Sequence, residues 1–410
     1  MMSTRRMRSL FAGCCLAGVA GVLSTGQPAR AADAVGSLAD SYNRTGRALF
    51  VHLAGASGNV VLSPYSISQA MTLARLGARG ETEREMAQAL ALRGTGRPAL
   101  VEAVRRLQDT VEREGSAGGN VLRLATALFL TRHGALVAPS YKALVQKAAA
   151  AGVFPKATLA EINDWVREKT DGRIARILER LHPYSVCVLV NAVSLKAAWE
   201  GQFSPRQTRE RAFRLSREQS VQVPMMHRDG SYRIVRAHTF DAIALPYKGG
   251  RLALVVILPM SVSGTFPLAQ LLGENTLVAI LKGLASAEPE RMRLAMPRFK
   301  ISFEADLIPP FRALGLTRPF DKDRADFTGI SESAREQDRI HITQVRHKAV
   351  IDVHEAGTDA AAATAVEFGL RSGPPPRRHV TIDRPFVFYL VEEVTGAVLF
   401  MGRVVDPRGK

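Results

Sequence analysis

The sequence predicts an α+β fold, on three observations. Leucine, alanine and methionine recur at threes and fours across the first half of the chain, the spacing of amphipathic helices. Runs rich in valine, isoleucine and phenylalanine, the composition of strands, dominate the second half. No internal repeat and no regular strand–helix alternation occurs, so a doubly wound parallel sheet is not expected. At 410 residues, 46% hydrophobic and 23% charged, the chain can bury a large core as one large domain or two ordinary ones.

Taken in order, the first thirty or so residues read as a leader. Arg5, Arg6 and Arg8 precede an apolar, small-residue run over 10–23, and Ala29-Arg30-Ala31 is an A-x-A site with cleavage before Ala32. The expected organisation is therefore a signal peptide, 1–31, and a single domain, 32–410, exported as a secreted or periplasmic protein. The apolar run is shorter than the roughly 20 residues of a spanning helix, and no later segment reaches that length without a charge. Cys14 and Cys15 leave with the leader, so only Cys187 remains and no internal disulfide forms. Within Val-Cys-Val-Leu-Val it reads as a buried small hydrophobe.

Helices are expected at 67–78, 81–92, 99–113, 139–150 and 159–178. Strands are expected at 121–130, 186–195, 242–245, 252–258, 291–295, 341–353, 386–391 and 398–405, the central ones buried on both faces. Residues 372–378 carry three prolines and favour an extended, solvated segment. Just before them, 355–366 reads Glu-Ala-Gly-Thr-Asp-Ala-Ala-Ala-Ala-Thr-Ala-Val. Composition alone favours a helix for four consecutive alanines, but residues this small can also stay mobile in one state and enter a crowded sheet in another.

Charge and motifs exclude several classes. The formal charge of +17 falls to +13 once the four arginines Arg5, Arg6, Arg8 and Arg30 are removed, since no acid precedes Asp33 (17 − 4 = 13). Such a balance favours acidic partners. The arginines are scattered without interleaved aromatics, so nucleic acid is not expected. A polyanion site on the 99–113 helix is unsupported, because Glu102, Glu112 and Glu114 accompany Arg105 and Arg106. There is no G-x-S-x-G, Ser-x-x-Lys or Walker-type loop, and His354-Glu355 does not continue as H-E-x-x-H. Gly94-Thr95-Gly96 lies between helical patterns rather than after a strand, and reads as a polar turn. No two of the nine histidines have structural-zinc spacing, and His347 and His354, seven apart, point to opposite faces of a regular strand. Neither a catalytic residue, nor a metal, nor a cofactor is expected.

A set of segments in fixed order resembles one family, the serpins. They are Asn59-Val60-Val61-Leu62-Ser63-Pro64-Tyr65-Ser66-Ile67, Leu76-Gly77-Ala78-Arg79-Gly80-Glu81-Thr82 and Thr170-Asp171-Gly172-Arg173-Ile174. Leu189-Val190-Asn191-Ala192-Val193 through Trp199, Val223-Pro224-Met225-Met226 and Pro297-Arg298-Phe299 follow. Gln344-Val345-Arg346-His347-Lys348-Ala349, the 355–366 stretch, Asp383-Arg384-Pro385-Phe386 and Phe400-Met401-Gly402-Arg403-Val404 complete the set. Together they cover nearly the whole of 32–410.

The resemblance implies an α+β domain of three β-sheets and about nine helices, with an exposed reactive-centre loop at about 355–380. It also implies a monomeric, secreted, bacterial-type inhibitor that is not an enzyme. Its partner would be a trypsin-like serine protease, held in a covalent complex. Cleavage of the loop gives an acyl-enzyme, the freed hinge enters the central sheet, and the tethered protease is distorted before deacylation; serpin loop insertion is itself a standard instance of strand addition and released strain. The family's cut lies fourteen residues after the hinge glycine, and counting from Gly357 gives Arg371-Ser372 as the reactive bond. A one-residue slip would make Leu370 the determinant, while cuts at Arg377 or Arg378 would leave the insertion geometry wrong. The hinge is Glu355, Gly357, Thr358, Asp359, Ala360, Ala361, Ala362, Ala363 and Thr364; Ala356 departs from the second glutamate of many inhibitory members. Ser63, Ser66, Asn191 and His347 map onto the family's shutter beneath the sheet, where they would need mutual hydrogen bonds.

Inserted as a strand, the loop alternates faces. Thr358, Ala360, Ala362, Thr364, Val366 and Phe368 share an uncharged packing face; Asp359, Ala361, Ala363, Ala365, Glu367 and Gly369 share the other, with both acids within reach of water. The alternative within this fold is a non-inhibitory carrier, chaperone or storage protein. Bulky or charged residues at 358, 360 or 362 would favour it, and none occurs.

Overall fold

Helices crowd the first half of the chain, as the periodicity predicts. The computed structural model describes residues 26–55, 58–131, 137–149, 152–181, 185–261, 276–331, 340–359 and 378–409, with side chains from Ala34 onward. The helices are α1 (Gly26–Leu53), α2 (Pro64–Gly77), α3 (Gly80–Ala89), α4 (Arg97–Gly115), α5 (Pro139–Ala149), α6 (Leu159–Lys169), α7 (Thr276–Ser286) and α8 (Ile308–Ala313). Pro64 and Pro98 stand in the first turns of α2 and α4, where a missing N–H breaks no intrahelical bond. α6 opens on a capping box between Thr158 and Glu161. It stops at Lys169 rather than at 178, because Asp171 and Gly172 take φ of 51° and 78° and turn the chain away.

α1 was not expected from periodicity and runs through Ala29-Arg30-Ala31. Its packing against the body includes Val35 and continues through Leu38, Ala39, Tyr42, Leu49 and Phe50. Residues 1–25, the bulk of the expected leader, lie outside the described residues. Among the described residues, no helix is long and apolar enough to cross a membrane.

The strands are β1 (Val60–Leu62), β2 (Val121–Leu130), β3 (Gly152–Phe154), β4 (Cys187–Ala198), β5 (Arg209–Arg214), β6 (Ser220–Arg236), β7 (Phe240–Pro246) and β8 (Leu252–Pro259). They continue as β9 (Glu290–Pro297), β10 (Phe299–Asp306), β11 (Ile342–His354), β12 (Gly357–Thr358), β13 (His379–Thr381), β14 (Phe386–Glu392) and β15 (Val398–Val404). One sheet of six strands runs β10-β11-β12-β4-β2-β3; another of nine runs β1-β15-β14-β8-β7-β6-β9-β13, with β5 on β6. Where three sheets were expected, hydrogen bonding joins two of them through the 17-residue β6. That strand pairs with β5 at its start, β9 in its middle and β7 at its end. Sequence periodicity misses it, because Pro224 and Gly230 interrupt it and only five of its 17 residues are buried.

β4 explains how the six-stranded sheet is held. Its odd-numbered residues, among them Leu189, Val193 and Leu195, join the main core with α2. Its even-numbered residues Val188, Val190 and Ala192 lie in a second cluster beneath α6, with Ile162 and Val166. The sheet is therefore covered on both faces, as its continuous apolar sequence requires. Phe129 stacks on Phe154 at 5.0 Å and meets Trp165 edge-on at 5.5 Å, fixing α6 across the sheet.

Replacing Thr158 with Ala removes the cap that starts α6 and is expected to lower stability to denaturant by about 1 kcal/mol. An unchanged denaturation midpoint would show that the start of this helix is set by packing alone.

Candidate functional site: a slot at the head of the central sheet

β12 is only two residues long, yet it sits between two long strands. Gly357 and Thr358 pair antiparallel with His354 and Val353 of β11 on one side and with Ala198 and Ala197 of β4 on the other. Lower down, β4 and β11 pair directly and in parallel, from Cys187 opposite Ile342 to Val193 opposite Ala349. The sheet is thus parted at its head and closed below, with the first residues of the expected hinge seated in the opening. This juxtaposition was not visible in sequence, because β4 and β11 lie about 150 residues apart.

The residues leading into β12 are clamped. Trp199 donates from its backbone N–H to Ala356 O at 3.0 Å and from Nε1 to His354 O at 2.9 Å. It stacks on Tyr247 at 4.4 Å, and the Tyr247 hydroxyl meets Thr358 Oγ1. Arg298 donates to both oxygens of Glu355 at 2.7 Å, and Thr208 donates to Oε1. Burial works against ionisation of Glu355, but the hydrogen bonds from Arg298 and Thr208 outweigh it and hold the carboxyl below its ordinary range. Gly357 has φ of +151°, and a Cβ there would lie 1.9 Å from Ala197 O, so only glycine fits. Thr358 is 2% exposed, in keeping with the uncharged packing face expected for it.

Asp359 ends the strand. Its N–H still follows the register, donating to Asp352 O at 2.8 Å, but its φ of 48° is left-handed rather than extended. Its carboxylate accepts from Arg173 at 2.9 Å, and the same guanidinium donates to Leu195 O at 3.2 Å. Arg173, held by Asp359, thereby occupies a β4 carbonyl just where β4 and β11 converge, and so plugs the slot. Asp359, expected within reach of water on the inserted strand, is half-buried here against Arg173. Its side chain is 20% exposed, and burial raises its pKa, with Arg173 opposing and Asp352 reinforcing the shift. Sequence reasoning gave no role to Arg173, Arg298, Trp199 or Tyr247; the first three lie inside segments that resemble the family, which was the available signal.

The four expected shutter residues do meet, about 20 Å down β4 from the slot. His347 is fully buried opposite Asn191 and lies 2.6 Å from its Oδ1, and the Ser63 N–H donates to His347 Nε2 at 3.2 Å. An acceptor on one ring nitrogen and a donor on the other fix the neutral tautomer protonated at Nδ1. Burial depresses this histidine to about 3. Ser63 caps α2 by accepting from the Ser66 N–H at 3.2 Å. The network is incomplete: Ser66 Oγ and Asn191 Nδ2 are buried with no hydrogen-bond partner among the described residues. Ala360, Ala361, Ala362, Ala363, Thr364, Arg371 and Ser372 lie outside the described residues. Among those described, no group of histidine, cysteine and acidic side chains could hold a metal.

Two outcomes follow from this geometry. Gly357→Ala should expel the hinge from the slot, read as faster amide exchange at Ala197 and Thr358; unchanged protection would place the hinge elsewhere. His347's folded-state value lies below its ordinary 6.5, so between about 6.5 and 3 the unfolded chain holds the extra proton. Stability present above pH 6.5 should therefore fall on acidification by about 1.4 kcal/mol per pH unit for this one group. His347→Gln should lack that component; identical pH dependence in both proteins would refute the assignment.

Comparison with known proteins agrees with this architecture. The serpin (serine protease inhibitor) family profile matches residues 40–407. An uncharacterized serpin-like protein of Thermococcus kodakarensis is 34% identical over 376 residues, covering 88% of this chain and 83% of the relative. Native protease nexin-1, solved with heparin, superposes with a TM-score of 0.78 at 26% identity, covering 91% of this chain and all of that one. Human thyroxine-binding globulin gives 0.79 at 25% identity, covering 92% and 100%. With a half-open central sheet, a seated hinge glycine and a family match from end to end of its folded body, the chain belongs to the serpin family.

Proposed function

We propose that the protein is a suicide-substrate inhibitor of trypsin-like, arginine-specific serine proteases, exported and acting as a monomer, and cleaved at Arg371-Ser372. The observation that carries this reading is that Gly357 and Thr358 already occupy the first two positions of a strand between β4 and β11. Cleavage would release the far end of the loop and leave only the closed part of the sheet to open.

The register is then fixed. On β4, partners sum to 555 (357 + 198), and on β11 they sum to 711 (353 + 358). Continued downward, Thr364 falls opposite both Asn191 (555 − 364) and His347 (711 − 364). Directly opposed residues share a face, so the Thr364 hydroxyl would meet the buried, unpartnered Asn191 Nδ2. An unsatisfied buried donor costs about 1–3 kcal/mol, and insertion would relieve it. Phe368 falls opposite Cys187, the last β4 residue in direct contact with β11 (555 − 368 = 187). Residues 357–368 would thus fill the slot, carrying an acyl-enzyme at Arg371 about 40 Å from the head of the sheet.

The two faces separate as the alternation requires. Ala360, Ala362 and Thr364 would pack opposite Leu195, Val193 and Asn191 on the main-core side. Ala361, Ala363 and Ala365 would lie on the side covered by α6, where small side chains fit. Asp359 falls beside the exposed Lys196, but Glu367 falls opposite buried Val188, so an all-wet second face holds only at its upper end. Parallel β4–β11 pairing would be exchanged for two antiparallel edges, which are the more stable per residue. Arg371 would enter the acidic specificity pocket of a trypsin-like enzyme as a bidentate partner of its carboxylate.

Mixing the protein with trypsin is expected to give an SDS-stable covalent complex and a released peptide beginning at Ser372, identified by mass spectrometry. Arg371→Glu should abolish complex formation with trypsin. Thr358→Arg should leave cleavage intact but convert inhibitor to substrate, since a charge would have to enter the core first. Clean turnover of the wild-type chain without complex would contradict inhibition.

A further inference from the structure

The expected loop brings two acids to the sheet, and the first already has a partner: Asp359 meets Arg173 at the head of the slot. The second is Glu367, which lies outside the described residues. In the register set by Gly357 and Thr358 it would arrive opposite Val188 on β4 (555 − 367) and Gln344 on β11 (711 − 367), just above the irregularity between Ile342 and Gln344. Val188 is fully buried and belongs to the cluster beneath α6. A carboxylate without a partner there would oppose the last step of insertion.

The receiving strand is polar at this point. Gln344, Arg346 and Lys348 share one face of β11 with Val350, which packs against the same cluster. Gln344 is 6% exposed, and its amide Oε1 is buried without a hydrogen-bond partner among the described residues. Two residues along that face, Arg346 Nε is a buried donor that also has none. The charges around it are engaged elsewhere. Lys348 donates to Glu304 and to Arg176 O. Asp306, opposite Arg346 on β10, accepts from the Ile308 N–H at 3.1 Å and forms no ion pair with Arg346 among the described residues. Opposed side chains in a sheet lie about 5 Å apart and diagonal ones about 7–8 Å, within reach of an arginine. We infer that Arg346 and Gln344 are positioning residues that seat the Glu367 carboxylate of the inserted strand, Arg346 through its guanidinium and Gln344 through its amide N–H. This rests on the inhibitory reading above. Glu367 is the last but one of residues 357–368, so the contact forms only when insertion is complete, and it then fixes the foot of the strand four residues from Arg371.

The test is equilibrium unfolding in urea of the full protein, uncleaved and after cleavage by trypsin, for the wild type, Arg346→Met, Glu367→Gln and the double variant. In the cleaved protein Arg346→Met should raise the unfolding constant about tenfold or more, the worth of one hydrogen bond to a charged group. The double variant should lose no more than Arg346→Met alone, and Arg346→Lys, which keeps the charge, should recover part of the loss. Uncleaved, all of them should unfold as the wild type does. The inference is overturned if Arg346→Met weakens the cleaved and uncleaved proteins equally, which would assign Arg346 to Asp306 or to packing, or if the two substitutions add. A cleaved wild type no more stable than the uncleaved one would show that no insertion occurs, and would remove the inhibitory reading as well.

Discussion

A strand can enter the middle of a sheet only if both neighbours release each other and the newcomer is already in register with both. In this chain the boundary between the two conditions lies at Asp359. Above it, Gly357 and Thr358 are hydrogen-bonded to β4 and β11 at once; below Val193 and Ala349 those strands still hold each other. Everything else in the site either keeps the hinge aligned or keeps the sheet shut. The steric demand at Gly357 and the burial of Thr358 make the alignment exacting, since neither a side chain at the first nor a charge at the second can be accommodated.

Three polar assemblies divide the remaining work. The Glu355–Arg298–Thr208 cluster anchors the approach to the slot, and the ionised carboxylate is kept by hydrogen bonds despite its burial. Arg173, held by the Asp359 carboxylate, closes the mouth by occupying the Leu195 carbonyl that an advancing strand would need. Lower down, His347 ties β11 to Asn191 of β4 and to the start of α2 through the Ser63 N–H. Its neutrality is built into that geometry, because a second ring proton would have the Ser63 N–H pointing at it. The unpartnered Asn191 Nδ2 makes the closed state imperfect at the point where Thr364 would arrive.

The α+β class and most strands were legible in the sequence, because hydrophobic period is a local property; of the hinge's expected packing face only Thr358 lies among the described residues, and it is buried. β4 was read as buried on both faces, and it is. What was not legible depends on distant partners or on backbone dihedrals. α6 was drawn nine residues too long, since only the positive φ at Asp171 and Gly172 ends it. The ion pair that Asp359 makes was not legible either, because alternation says nothing of Arg173, 186 residues away. β6 was missed because a half-buried strand broken by proline and glycine has no long apolar run to announce it. The shutter residues were placed by resemblance; their hydrogen bonds, and the two polar atoms left without partners, needed the structure.

The central claim is that the hinge continues down the slot in the register set by Gly357 and Thr358. A crystal structure of the protein after cleavage by trypsin tests it most directly. The account predicts residues 357–368 as a full strand between β4 and β11, with Thr364 beside Asn191 and His347 and Phe368 opposite Cys187. A cleaved chain in which Cys187–Val193 still pairs with Ile342–Ala349, or in which another residue stands opposite Asn191, would contradict it.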